Sequence, residues 1–413
     1  MIVPLMDAVA DTCGGKAAAL GALLRAGVPV PDGFVVPFAA YLAAVRDLDR
    51  EPDDLGAVRR AVEARPLDAT LVDALGRGLG RLGDAPVAVR SSAAGEDTGR
   101  ASAAGQHESF LAVRGAARVA DAVRGCWASL LSPRAAAYRD ATGPPAGLAM
   151  AVIVQRHLDA EVSGVMFTPA DPGDAIRIEA SWGLGPSVVG GTVTPDAYLV
   201  AGDGTVTRTA GDKRTRLDRH GARLVVSDLP EQDRRRPAID DTTAARLAGL
   251  GGEIAAVLGG AQDIEWAIVE DRVWALQARP VTAAPPPKAP VATIPTETTA
   301  AHEAAAATLA GTPGSHGTVT GTARIVRGPG DFARVHPGDI LVCPFTDPAW
   351  TPLLRIAAGV VTETGGVLSH AAIVAREQAI PAVLGIRGAT SRLHDGTPVT
   401  IDGTTGTVTP TGA

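Results

Sequence analysis

A proline-rich run, AAPPPKAPVATIPTETTA from Ala283 to Ala300, sets the strongest limit on how this 413-residue chain folds. It holds five prolines among small and polar residues and shows no apolar periodicity. Proline fixes φ and removes a backbone donor, so the stretch favours extended polyproline conformation at about 3.1 Å per residue. A run of this length without structure inside one compact domain is uncommon. The chain therefore reads as two bodies joined by a semi-rigid spacer. The segment after it, AHEAAAATLAG, has the helix propensity of an alanine-rich sequence and is expected to form a short helix.

Composition narrows the function. Lys and Arg total 38 against 45 Asp and Glu, a net charge of −7. General nucleic-acid binding needs a basic footprint that this chain lacks. Hydrophobic residues at 46% and charged residues at 20% exclude the composition of a disordered chain. There is no apolar run of about 18 residues, so no membrane span is expected. MIVPLMDAVADTCGGK lacks the basic start and long apolar core of a secretion signal. Cys13, Cys126 and Cys343 form neither a zinc spacing nor a disulfide framework. A reduced, cytoplasmic protein is expected.

Before the spacer, KAAALGALLRAG reads as a helix and VPVPDGFVV as a turn and strand; APVAVRSS, LAMAVIVQRH, AIRIEAS and VWALQAR read as strands. After it, GTARIV, DILVCPF, GVVTET and PVTIDG read as strands, and HAAIVAREQ is the strong helix.

The stretch from Thr362 to Gly385, TETGGVLSHAAIVAREQAIPAVLG, carries the most chemistry. An apolar strand ends in Gly365 and Gly366, and Ser369 is a candidate N-cap that places His370 in the first turn of the helix. Neutral imidazole is a nucleophile near pH 7. A phosphoryl group on it would meet the backbone N–H groups and positive dipole end of the helix. A histidine that only packs at a helix start has the same bare Gly-Gly-x-x-Ser-His pattern. The flanking sequence resembles the mobile phosphohistidine domain of the PEP synthase, pyruvate phosphate dikinase and rifampin phosphotransferase family. That likeness runs through GTPGSHGTVTGTARIV, HPGDILVCPFTDPAW and DGTPVTIDGTTGTVT, and it implies that His370 is the phosphorylated residue. Leu368 stands where phosphorylation-regulated dikinases carry a threonine, so control of that kind is not expected.

A phosphohistidine needs a donor site. Lys16 follows two glycines in CGGKAAALG, where a lysine can reach a phosphate past a small backbone. A solvated lysine would look the same. Arg90 ends a strand and precedes a loop of Gly, Ala, Ser and Thr, in VAVRSSAAGEDTGRASAAGQHES, suited to donating backbone N–H groups to a triphosphate. In AQDIEWAIVEDRVWALQARPVT, Asp263 and Glu265 alternate on one strand, and Gln277 and Arg279 do so on the next. Carboxylate and amide oxygens there suit Mg²⁺; an isolated hairpin could equally carry a solvent-facing ion-pair face.

Together with GVPVPDGFVV, SLLSPRAAAYR, VSGVMFTPADP and ASWGLGPSVVGGTVTPD, these blocks resemble the ATP-grasp domain of the same family. The resemblance implies an α/β (α+β) chain: an ATP-grasp nucleotide domain over residues 1–282, a Pro/Ala-rich linker over 283–311, and a small swivelling β/β/α phosphohistidine domain over 312–413. It assigns Lys16, Arg90 and Arg279 to ATP phosphates, Gly105 and Ser109 to the phosphate-covering loop, Gln155 to the adenine, and Glu265 and Gln277 to Mg²⁺. Asp263 is left as a supporting partner. Ala103 replaces the phenylalanine usual before Ala-Gly-Gln, a smaller residue over the nucleotide.

The implied chemistry is a dikinase-type phosphotransfer. The histidine takes the β-phosphate of ATP, AMP and phosphate leave, and the carrier swings to an acceptor. An 18-residue proline-rich connector spans about 55 Å if extended. Neither the pyruvate barrel of PEP synthases nor the antibiotic-binding domain of rifampin phosphotransferases is recognised between or beside these blocks. The acceptor is therefore expected to be a small-molecule hydroxyl, as in specialised metabolism or an antibiotic, or to sit on a separate protein subunit. A non-catalytic nucleotide-sensing phosphocarrier is the third reading. No nucleic-acid or membrane partner is expected.

Overall fold

The computed structural model describes residues 2–48, 55–96, 107–132, 135–136, 148–171, 173–284 and 308–411. They form two compact units. The first comprises Met1–Gly185, Tyr198–Thr209 and Thr215–Thr282; the second comprises Pro186–Ala197, Ala210–Arg214 and Ala283–Ala413. The segments Pro186–Ala197 and Ala210–Arg214, expected within the body 1–282, thus group with the C-terminal unit.

The first unit holds an antiparallel sheet of β1 (Val3–Pro4), β2 (Gly33–Val36), β3 (Val87–Ala93), β4 (Ser109–Val113) and β5 (Met150–Arg156), in the order β1-β2-β5-β3-β4. The first six residues of central β5 are buried, and the first five of them are apolar, as a strand covered on both faces requires. Helices Ala10–Arg25 (α1) and Ala116–Ser129 pack against β3 and β5. Inside α1, Gly14 takes φ +80°, and a Cβ there would lie 2.4 Å from Ser92 Oγ. Glycine is thus what lets the start of α1 lie against β3.

A six-stranded sheet is built from β6 (Val162–Phe167), β7 (Ile176–Trp182), β8 (Asp196–Val200) and β9 (Val206–Thr209), and from β12 (Gln262–Val269) and β13 (Arg272–Pro280). Its order is β13-β12-β6-β7-β8-β9. Strands β10 (Thr215–His220) and β11 (Arg223–Asp228) form a separate hairpin. The turn between β12 and β13 has positive φ at Glu270 (50°) and Asp271 (60°), the primed geometry whose twist matches an antiparallel hairpin. Ile264, Met166 and Ile178 share a row on the apolar face and are fully buried. Helix Asp241–Leu258 packs on β12 and β7. It is capped by the Asp240 side chain, which accepts from Thr243 N at 2.7 Å.

The second unit is a mixed sheet of β14 (Leu309–Ala310), β15 (Thr312–Ser315), β16 (Thr318–Ile325), β17 (Ile340–Cys343), β18 (Gly359–Thr362), β19 (Ala382–Leu384), β20 (Pro398–Asp402) and β21 (Thr407–Pro410). The order is β14-β21-β20-β16-β17-β18-β19-β15, with β16 to β19 parallel. Alternate residues of one strand feed different cores: Leu341 and Val360 join one apolar cluster, Ile340 and Val361 another. Burial on both faces explains why these strands are continuous apolar runs. Helix His370–Glu377 packs against β15, β18 and β19. Leu309 pairs with Val408, so the spacer expected over 283–311 gives way to a strand before residue 311. Residues 285–307, with most of the expected alanine-rich helix, lie outside the described residues. Among the described residues, no helix is long and apolar enough to cross a membrane.

Candidate functional site

The β12–β13 hairpin carries a polar face. Register pairs Glu265 with Gln277 and Asp263 with Arg279, so all four side chains leave one side of the sheet, as their alternation predicts. The same row runs on through Val165 to Glu179 of β7, a carboxylate only 2% exposed. Arg279 Nε donates to Asp263 Oδ2 at 2.8 Å, and its Nη2 lies 2.7 Å from the same oxygen. Both residues are buried, which excludes a solvent-facing ion pair. Beside Glu179, burial holds the Arg177 guanidinium below its ordinary value, and the Glu179 charge partly offsets that shift.

Register shifts between Glu265 and Trp266, leaving Leu276 of β13 unmatched. Such a bulge frees a backbone group from the ladder. Arg90, reaching over from β3, uses it: its Nη1 donates to Leu276 O at 3.1 Å, and its Nη2 stands 3.5 Å from Glu265 Oε2. Lys16, in α1 just past the Gly14 kink, pairs with Glu96, whose Oε2 accepts from Ala93 N at 2.9 Å. In the first unit Lys16, Arg90 and Arg279 each stand beside a carboxylate.

In the second unit, His370 is 5% exposed and is the first residue of its helix. Its Nδ1 lies 2.8 Å from Thr346 Oγ1 and its Nε2 3.4 Å from Thr351 Oγ1. Both threonines are buried; one follows β17 and the other opens a short helix, Thr351–Leu354. Arg376, one face further along the helix, donates from Nη1 to Val367 O (2.8 Å) and Gly314 O (2.9 Å), tying the glycine loop to β15. Thr364 donates to Gly191 O at 2.6 Å, and Gly365 N to Val193 O at 3.1 Å, so Pro186–Ala197 lies along this loop within the unit.

Residues 10–299 match the family described as pyruvate phosphate dikinase, AMP/ATP-binding domain. The chain belongs to that family. Residues 335–406 match the PEP-utilising enzyme mobile domain, the region that contains His370. A probable phosphoenolpyruvate synthase of Methanothermobacter thermautotrophicus is 38% identical over 96% of this chain and 61% of its own length. Another from Archaeoglobus fulgidus is 36% identical over 96% of the chain and 56% of its length. The phosphoenolpyruvate synthase of Aeropyrum pernix is 35% identical, with the same two coverages. The chain therefore spans roughly three-fifths of the length of these curated relatives.

Within this dikinase-family chain, two local settings differ from expectation, those of Ser109 and Ser369. Ser109 opens strand β4 opposite Arg90 instead of lying in a loop. Gln155 is 2% exposed and one N–H of its Nε2 donates to Pro31 O at 3.0 Å, which fixes the amide and leaves its second N–H and its carbonyl oxygen for other partners. Ser369 occupies the N-cap position, but its hydroxyl donates to Gly366 O at 2.8 Å and caps no helix N–H. Gly105 and Ala103 lie outside the described residues. Among the described residues, no three His, Cys, Asp or Glu side chains converge as a metal cluster. Glu265 and Gln277 still offer adjacent hard oxygens, the donor type that holds Mg²⁺ when phosphates complete the shell. Sequence reading missed Glu96, Glu179, Thr346 and Thr351. The available signals were a lone acid in the apolar run AIRIEAS and two threonines in FTDPAWT.

Proposed function

We propose that this chain is an ATP-dependent dikinase-type phosphotransferase in which His370 carries the β-phosphate of ATP to an acceptor, releasing AMP and phosphate. The observation that carries the reading is His370 itself, set at a helix start with its ring nitrogens beside two buried hydroxyls, inside a match to the PEP-utilising mobile domain. In the tautomer whose Nδ1–H donates to Thr346 Oγ1, 2.8 Å away, the lone pair sits on Nε2, and that is the atom assigned to attack. The N–P bond forms as the bond from the β-phosphorus to the α,β-bridging oxygen breaks, and AMP leaves with that electron pair. Water then takes the terminal phosphate, and the remaining phosphoryl group passes to the acceptor.

Lys16, Arg90 and Arg279 neutralise the charge that builds on non-bridging oxygens, with Gly105 and Ser109 on the covering side and Gln155 at the adenine end. Mg²⁺, held by Glu265 and Gln277, would supply further charge neutralisation at the phosphates. The body before the proline-rich run acts as donor, that run as tether and the unit beginning at β14 as carrier. The acceptor is a small-molecule hydroxyl. A second reading places the acceptor site on a separate protein.

The test is incubation of the purified chain with Mg-ATP labelled at the β-phosphate. AMP and an acid-labile phosphoprotein are expected, with no label on His370→Ala. AMP production without a labelled protein, or a labelled His370→Ala, would sink the proposal. Transfer from the labelled chain to hydroxyl compounds without added protein separates the two acceptor readings.

A further inference from the structure

Glu96 is a buried carboxylate, 6% exposed, just past the end of β3. Its two oxygens do different things. Oε1 pairs with the Lys16 ammonium, 80 residues away in sequence, and Oε2 accepts from Ala93 N at 2.9 Å, at the end of β3. The Lys16 side chain is 12% exposed and that of Glu96 2%. Around them the start of α1 is fastened to the same strand. Ala17 N donates to Ser92 Oγ at 3.3 Å, and Gly14 lies against Ser92 with no room for a Cβ. One carboxylate oxygen is therefore held by the β3 backbone, and the other faces the ammonium.

An ammonium has three donors on a flexible stem and no preferred direction of its own. Tying one of them to a fixed, buried carboxylate gives it a direction. It also withdraws part of its charge from any polyanion that arrives. We infer that Glu96 is a positioning residue for Lys16: it fixes where the ammonium meets the phosphates during transfer, at some expense of ground-state affinity. This rests on the phosphate role proposed for Lys16. Binding that is weaker in the ground state than in the transition state is what raises turnover.

Glu96→Gln keeps an acceptor for Ala93 N and removes the anionic partner of Lys16. At saturating ATP, the rate of His370 phosphorylation is expected to fall about 10- to 100-fold, the usual scale for a misplaced charged group. The dissociation constant for ATP is expected to stay within threefold of wild type or tighten. In a Lys16→Met background, Glu96→Gln is expected to change the rate less than twofold, because the effect acts through Lys16. A wild-type rate in Glu96→Gln, the same loss without Lys16, or an ATP affinity that weakens in step with the rate would each overturn the inference. Should Glu96→Gln not fold, Glu96→Asp is read by the same criteria, since its shorter arm cannot serve both partners. If the wild-type chain forms no AMP, the phosphotransferase reading falls and takes this one with it. If it does and Glu96→Gln matches it, only this inference falls.

Discussion

The two units prepare their functional groups in opposite ways. On the β12–β13 face and its surroundings, every cation assigned to phosphate already stands beside a carboxylate: Lys16 with Glu96, Arg279 with Asp263, Arg90 near Glu265. Around His370 the ring nitrogens lie beside two neutral hydroxyls, those of Thr346 and Thr351. The difference fits the chemistry proposed for each side. Cations gathered for a polyanion repel one another when it is absent, and buried ones need counter-charges. A nucleophilic imidazole has the reverse need. A carboxylate beside it would favour the protonated ring, which has no lone pair to attack phosphorus.

Breaking the charged side should have the largest effect. Arg279→Met leaves Asp263, 6% exposed, without the guanidinium it holds through Nε and Nη2. An unpaired buried charge costs about 3–5 kcal/mol. Denaturant titration should show a loss of that order, and Asp263→Asn added to the same chain should restore part of it. A loss below about 1 kcal/mol would mean that the pair is not a true counter-ion arrangement. Breaking the neutral side is milder. Thr346→Val removes the 2.8 Å partner of Nδ1 and adds no charge. A net hydrogen bond is worth about 1 kcal/mol, so phosphorylation of His370 should slow about fivefold to tenfold with ATP affinity unchanged. Equal changes in rate and affinity would remove Thr346 from its orienting role.

The contrast also marks what could be read from the chain beforehand. Alternation is local, so Asp263 with Glu265 and Gln277 with Arg279 could be placed on one face before any strand was seen, given a tight turn at Glu270 and Asp271. The helix beginning at His370 was legible for the same reason. The partners were not. Glu96 reaches Lys16 only because the start of α1 lies on the end of β3, and Glu179 joins the row of Glu265 only because β6 and β7 follow β12 in the sheet. Strand order comes from tertiary packing and leaves no periodic trace. The bulge at Leu276, which supplies the carbonyl that Arg90 takes, is one extra residue in an otherwise regular alternation.

The smallest effect sharpens the comparison through a second histidine. His157 follows β5 in the first unit, with a side chain 3% exposed. Burial pushes its pKa down to about 4; Asp159, 3.7 Å from Nε2, opposes that shift, while Arg219 and Arg90 reinforce it. In the unfolded chain the ring takes its proton near pH 6.5. Between those two values the unfolded state binds more protons, so stability is complete above about pH 6.5 and is lost as pH falls towards about 4. The slope from one such group is at most about 1.4 kcal/mol per pH unit. Unfolding titrations at pH 7, 6 and 5 should show it, and His157→Asn should flatten the curve by that amount. If the variant keeps the wild-type slope, the acid sensitivity lies elsewhere. In that case burial in the first unit does not hold this histidine neutral, and the contrast with His370 becomes one of partners alone.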